Sequence, residues 1–375
     1  MTTMGDWNAD GCSDLIQVHS VFISDCAGAL TEVRTTAGAA TGASLYTAMP
    51  ADWNGDGRTD LLYVDANSKD WMVVPSTGTG AAPAVSTGIK AANTTVWFVH
   101  DADGDGLVDL GLRDGANGNK LRYRLHASPG LEYDLATSFT DGFGMTQRPV
   151  YASIVRAAHA PSSNAVYPEA DLQAPLYVVR EFTASDGTGG TYRNVFDYHG
   201  ARRHLQGRGF QGFQSVRWLD SRSGLYTRVN YAVTFPHTGR LTGRSVLQAD
   251  GRTPVTEVAN TLAQPISGGS GFEQRVFPYV ASTRELEYEL GGGANGVLAR
   301  ETSKTFQYGD GHGNPTQVQS TVVDKDPSSP FVGSSWQTNA SYTYVNDTAT
   351  NWCLGLPATA AVTKLAPGQA PMTRT

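Results

Sequence analysis

Three nine-residue stretches of the chain concentrate carboxylates: DWNADGCSD from Asp6, DWNGDGRTD from Asp52 and DADGDGLVD from Asp101. Each places oxygen-bearing side chains at positions 1, 3, 5 and 9, with glycine at position 6 and a backbone carbonyl at position 7. In chain order the sets are Asp6, Asn8, Asp10, the Cys12 carbonyl and Asp14; Asp52, Asn54, Asp56, the Arg58 carbonyl and Asp60; and Asp101, Asp103, Asp105, the Leu107 carbonyl and Asp109. Alternating hard oxygens around a glycine turn suit Ca2+, which takes about six to eight of them. Carboxylates this close repel one another unless a cation lies between them. Ca2+ is therefore the expected cofactor of all three loops. The first is the least complete, because Ala9 stands where the others have Gly55 and Gly104. An EF-hand would need a bidentate Glu at position 12, which is Gln17, Tyr63 or Leu112. The competing reading is an Asp/Gly-rich turn that caps a hairpin and binds nothing.

The elements that must carry these loops read as strands. Runs rich in Val, Thr, Tyr, Phe and Trp alternate with glycine-rich breaks, and no segment shows sustained helical periodicity, which predicts an all-β chain. The loops start 46 and 49 residues apart, the period of a four-stranded propeller blade. LLYVD, WMVVP and VWFVH are read as strands of the second unit. Farther on, SDGTGG and DSRSG each sit between strand-like runs and predict long antiparallel hairpins. A Pro/Ala-rich connector is expected at 157–175.

Composition narrows the partners. The first 150 residues carry 18 acidic and 9 basic side chains, a net −9, while the remainder carries 17 and 19, a net +2. An acidic surface of that kind repels nucleic acid. No run reaches the roughly 18 apolar residues that a bilayer-spanning helix needs, so direct membrane insertion is not expected. The odd count of three cysteines, Cys12, Cys26 and Cys353, without CxxC spacing predicts inert small apolar residues rather than a disulfide framework or zinc site. MTTMGDWNAD shows no signal peptide.

DWNGDGRTDLLYV and its two cognates resemble the FG-GAP or VCBS repeats of integrin-type β-propellers, over residues 1–125. FGMTQRPVYASI and YHGARRHLQGRGFQGFQSVRWLDSRSGLYTRVNYAVTFPHTGR resemble the middle region of the B component of bacterial toxin complexes, shared with SpvB-like toxins. TFQYGDGHGNPTQVQST and YTYVNDTATNWCLGLPATAAV resemble the opening of Rhs, or YD-repeat, strips; Tyr308, Gly313 and Asn314 carry the first match, and Tyr344, Asn346, Asp347, Trp352 and Gly355 the second. These resemblances imply a partial β-propeller of three blades over 1–145, a toxin-complex B middle region of antiparallel β structure over 146–305, and the start of an Rhs/YD-type shell over 306–375. They also imply a secreted, noncatalytic docking and shell-forming part of a toxin delivery assembly, with a cytoplasmic stage before export as the alternative location. Its partners would be a pore-forming A component and an Rhs-type C component, or the remainder of the same toxin. Rhs strips wind into a hollow shell around a toxic polypeptide, whereas this sequence stops at Thr375. The alternatives are a calcium-dependent adhesin-like propeller that binds glycan or protein, and the remnant of an interbacterial Rhs toxin.

Enzyme signals are weak. Gly207, Gly209 and Gly212 satisfy GxGxxG but follow polar GARRHLQ and run into aromatic strand residues, the wrong setting for a dinucleotide. A glycine-permitted bend is the better reading. His199 and His204, in HGARRH, read as solvated strand residues. Glu285, Glu287 and Glu289 alternate in RELEYEL as on the wet face of a strand. They also fit the ExE pair of ADP-ribosyltransferases, but the accompanying STS is missing, since Ser282-Thr283 is followed by Arg284. Asn93, Asn339 and Asn346 fit N-x-[ST], a motif too common to interpret.

Overall fold

The computed structural model describes residues 2–35, 48–91, 97–114, 118–126, 135–155, 159–264, 266–267 and 275–375. Asn93 and part of the 157–175 connector lie outside the described residues. The chain is all-β, and a 3-10 turn at Gly292–Ala294 is the one helical element among the described residues. No helix there is long and apolar enough to cross a membrane.

Two compact units emerge. The first comprises residues 1–139 with 148–157 and 173–179. It contains three antiparallel sheets in which sequential strands are neighbours. They are β1 (Thr3–Gly5), β2 (Asp14–Ile16), β3 (Ser20–Ser24) and β4 (Leu30–Arg34); β5 (Met49–Ala51), β6 (Asp60–Val64), β7 (Asp70–Val74) and β8 (Val85–Lys90); and β9 (Trp97–His100), β10 (Asp109–Asp114) and β11 (Lys120–Arg124). Each aspartate loop joins the first two strands of its sheet and closes on the same register pair: Gly5 opposite Asp14, Ala51 opposite Asp60, His100 opposite Asp109. The run VWFVH does not belong to the second unit, as its position suggests. Its described residues form β9, which pairs with β10, because a strand entering each loop is what turns the loop into a hairpin.

Why Asp60–Val64 reads as continuous DLLYV follows from burial on both faces. Successive strand residues point to opposite sides. Leu61 and Tyr63 join Trp7, Ile16, Val18, Val21, Ala48 and Val74 in one core cluster. Leu62 and Val64 face the other way, with Trp53, Trp71, Val73 and Leu110. The second sheet is thus packed between the first and third. Full burial of such side chains is worth about 1.5–3 kcal/mol each.

The second unit comprises residues 140–147, 158–172 and 180–375. Its strands Thr191–His204, Gly209–Asp220, Leu225–Tyr231, Leu241–Leu247, Pro254–Ala263, Tyr279–Tyr288, Leu298–Gln307, Gln317–Asp324, Ser335–Asp347, Cys353–Leu365 and Met372–Arg374 pair antiparallel, each with the next. The predicted hairpins form: Ser185 pairs with Thr191 around SDGTGG, and Asp220 with Leu225 around DSRSG. Gly207, Gly209 and Gly212 all have positive φ, in and beside the turn between two strands, so the GxGxxG stretch is a bend.

Candidate metal centre

The loops fold alike because their side chains bond to their own backbone. At position 1, Asp52 accepts the amides of Gly55 (2.8 Å) and Asp56 (3.1 Å) on one oxygen and of Gly57 (2.9 Å) on the other. Asp101 repeats this with Gly104 (2.6 Å), Asp105 (3.1 Å) and Gly106 (2.9 Å). Asp6 accepts Asp10 (3.1 Å) and Gly11 (2.9 Å). The wrap needs left-handed backbone at positions 4 and 6: Gly55 and Gly57 have φ 72° and 82°, and Gly104 and Gly106 have 76° and 90°. Ala9 takes the same conformation at φ 60°, a cost that the two glycine-bearing loops avoid.

Position 5 turns inward in each copy. Asp10, Asp56 and Asp105 accept the amides of Cys12 (2.8 Å), Arg58 (3.0 Å) and Leu107 (3.0 Å). The position 3 side chains Asn8 and Asn54 donate to Asp10 and Asp56 at 2.8 and 3.0 Å. In the second loop the Arg58 guanidinium also pairs with Asp56 and donates to the Ser76 carbonyl at 3.2 Å.

The ninth aspartate has a different role. Asp14, Asp60 and Asp109 are fully buried, and each clamps two backbone amides. Asp14 accepts Trp7 and Ser24 at 2.7 Å each. Asp60 accepts Trp53 at 3.1 Å and Ser76 at 2.7 Å. Asp109 accepts Ala102 at 2.9 Å and His126 at 2.6 Å. Each brace ties position 2 of the loop to the residue at or just beyond the end of the sheet's third strand. Burial pushes the Asp60 carboxyl up to about 6 against the lowering pull of the Ser76 and Trp53 amides, and the Asp56 and Asp52 charges add to the rise. Burial raises Asp52 as well.

Position 2 locks one sheet to the next. The Trp7 indole donates to the Gly80 carbonyl at 3.0 Å, and the Thr59 amide donates to the Asp6 carbonyl at 2.8 Å. Trp53 stacks on His126 with ring centroids 4.0 Å apart. In the third loop Ala102 replaces the tryptophan. Segments from later in the sequence cover that loop instead: the Tyr177 hydroxyl donates to the Asp105 carbonyl at 2.5 Å, and the Ser153 hydroxyl to the Gly104 carbonyl at 3.3 Å. A Cβ on Gly106 would lie 2.9 Å from Pro175 Cβ.

Of the three aspartate sets, the third converges most closely. Asp101, Asp103 and Asp109 each offer an oxygen, and these lie within 4.8 Å of one another. Among the described residues, the three aspartates of the first loop do not converge that closely, nor do those of the second. A calcium ion in the third loop would be held by those three carboxylates, of which Asp109 is fully buried, and would offset their mutual repulsion.

Sequence reasoning missed two features. Cys12 and Cys26 form a disulfide, which corrects the expectation of inert cysteines. The odd count concealed a local pair that ties position 7 of the first loop to the turn after β3, while Cys353 is the free, exposed thiol. His199, expected to be solvated, is half-buried and lines a cavity. Of the alternating glutamates, Glu287 pairs with Arg300 directly across the strands.

An all-β protein that joins aspartate-loop meanders to a long antiparallel sheet is the class this fold defines, and known proteins share it. Residues 76–239 match the family model described as the insecticide toxin TcdB middle/N-terminal region. The crystal structure of TcdB2-TccC3 is similar over 97% of this chain and 22% of its own, at 15% identity and TM-score 0.73. The same complex without its hypervariable C-terminal region gives 97%, 21%, 14% and 0.73. A Photorhabdus luminescens Tc holotoxin pore with a substituted TccC3 gives 97%, 24%, 14% and 0.51. At these identities the structures establish a shared fold. This chain spans between a fifth and a quarter of their length. No curated protein matches it. Over residues 76–239 the chain is similar to TcdB, and that span takes in FGMTQRPVYASI and the stretch from Tyr198 to Gly239, which carried the sequence resemblance.

Proposed function

We propose that this chain is a noncatalytic, shell-forming and docking part of a secreted bacterial toxin complex of the B-component or SpvB-like type. The observation that carries this reading is the similarity to TcdB2-TccC3 over nearly the whole chain, together with the family match across residues 76–239. In this reading the three meander sheets are FG-GAP/VCBS-type propeller blades that form a docking face, and the long sheet of the second unit begins the shell. The partners are a pore-forming A component and an Rhs-type C component. The test is co-expression with both, followed by size-exclusion chromatography and a pore-loading assay. Failure to co-elute with either component would remove the assembly role. Independent surface binding to glycan would favour the adhesin reading.

Calcium belongs to the same proposal, with Asp101, Asp103 and Asp109 as the strongest ligands and the Asp6 and Asp52 loops as weaker sites. An ion that binds only the native state stabilises by about 2.7 kcal/mol at hundredfold excess over its Kd. Calorimetric melting in millimolar calcium and in chelator measures this. Coincident curves would refute calcium binding while leaving the assembly role standing.

A further inference from the structure

Strand register in the second unit stacks two rows of polar side chains across three neighbouring strands. Asp197 lies opposite Arg217, and Arg217 opposite Arg228; one step along, His199 lies opposite Ser215, and Ser215 opposite Asn230. Together they line a cavity of 630 Å3, within the range of about 300–1,000 Å3 typical of small-molecule sites. The row beyond Asn230 begins with Gly243, directly opposite it, which leaves room beside the amide.

The charges in this cavity do not balance. The one carboxylate, Asp197, is already committed: its Oδ2 accepts Arg217 Nη2 at 2.7 Å and Nε at 3.2 Å. Arg217 is held from a second side by Tyr226, whose ring centre lies 5.1 Å from the guanidinium carbon. This fixes Arg217 before any ligand arrives and leaves part of its donor fork unused. Arg228, on the neighbouring strand, has no ion-pair partner among the described residues. His199, Ser215 and Asn230 are half-buried, and their side chains likewise make no hydrogen bond there. Half-buried polar groups on a sheet face ordinarily pair with cross-strand neighbours; here three such groups and the exposed Arg228 line one cavity with their capacity unspent.

We propose that this cavity binds a small molecule bearing an oxyanion, a phosphate or sulfate ester of sugar size. The Arg217 and Arg228 guanidiniums would clamp the anion, because planar forks match oxyanions and charge-assisted hydrogen bonds are the strong ones. Ser215, Asn230 and His199 would hold the uncharged part through hydroxyl-scale hydrogen bonds. A bare ion would fill only a fraction of the volume, so the ester is favoured over the free ion. The site lies within the second unit and is independent of calcium and of the assembly role.

The test is calorimetric titration of the full chain with inorganic phosphate, inorganic sulfate, glucose 6-phosphate and glucose 6-sulfate. Arg228→Gln and Asn230→Ala are run in parallel, and circular dichroism checks that each variant is folded. Both esters should bind more tightly than the inorganic ions. Arg228→Gln should weaken ester binding by about tenfold or more, the scale of one lost charge-assisted contact. Asn230→Ala should weaken the esters while leaving the inorganic ions unaffected. Absence of ester binding up to about 10 mM, where even very weak sites register, would overturn the proposal. So would ester binding that a folded Arg228→Gln variant retains in full.

Discussion

Asp14→Ala separates a structural brace from a metal ligand. The wild-type carboxylate is fully buried and accepts the Trp7 and Ser24 amides at 2.7 Å each. Alanine is too short to accept either. Each buried donor left without a partner costs about 1–3 kcal/mol, so the pair should cost about 2–6 kcal/mol. That is a large share of the roughly 5–15 kcal/mol by which a domain is stable. The first unit should then melt about 5–20 °C lower, at roughly 2–4 °C per kcal/mol for a domain of that size. Asp10→Ala is the control, because Asp10 is exposed and bonds only loop-surface donors; it should stay within about 1 kcal/mol. Scanning calorimetry and urea titration in calcium and in chelator should give the same large penalty for Asp14→Ala in both media, since the amides are there either way. A penalty below about 0.5 kcal/mol, the level of an ordinary surface change, would refute the brace. A penalty that vanished in chelator would show that Asp14 works through the ion instead.

Replacing both Cys12 and Cys26 by serine should lower stability by about 3 kcal/mol, the value for closing a loop of about 15 residues; an unchanged urea midpoint under non-reducing conditions would contradict it. Gly106→Ala should cost about 1–3 kcal/mol through backbone strain and the approach to Pro175, and protease cleavage near residues 173–177 should rise. In the second unit, Arg284 donates to Glu301 at 2.7 Å, Lys325 lies 3.3 Å away, and the Arg284 hydrogen bond leads in holding the carboxyl below its ordinary 4.5. A lowered folded value means that this contribution is present above pH 4.5 and is lost as pH falls through the folded value. Acid unfolding of Glu301→Gln should lack that part of the slope, and a superimposable pH profile would count against it.

The aspartate loops were legible because their geometry is local: the bonds that the position 1 and position 5 carboxylates accept from the loop backbone span five residues or fewer, so the residue types and the glycine positions specify the turn. The SDGTGG and DSRSG hairpins were legible for the same reason. What escaped depended on distance along the chain. Nothing near Asp105 signals that Tyr177 caps it, and nothing near Trp53 signals that His126 stacks on it. Leu61 and Leu62 read as one apolar run, but that they serve opposite cores is fixed only when two other sheets arrive. His199 reads as solvated because it opens the arginine-bearing HGARRH stretch; the cavity arises from register with Ser215 and Asn230, which local pattern does not encode.

The alanine at position 102 bears on how such an array could lengthen by gene duplication. A copy inserted ahead of Asp52 would bring its own tryptophan and find a sheet to grip. One inserted after the third would follow a loop that has lost its hook and whose glycines already lie beneath Val155 and Pro175. Ala102 therefore leaves the third loop without the side chain by which the first two grip the sheet that follows them.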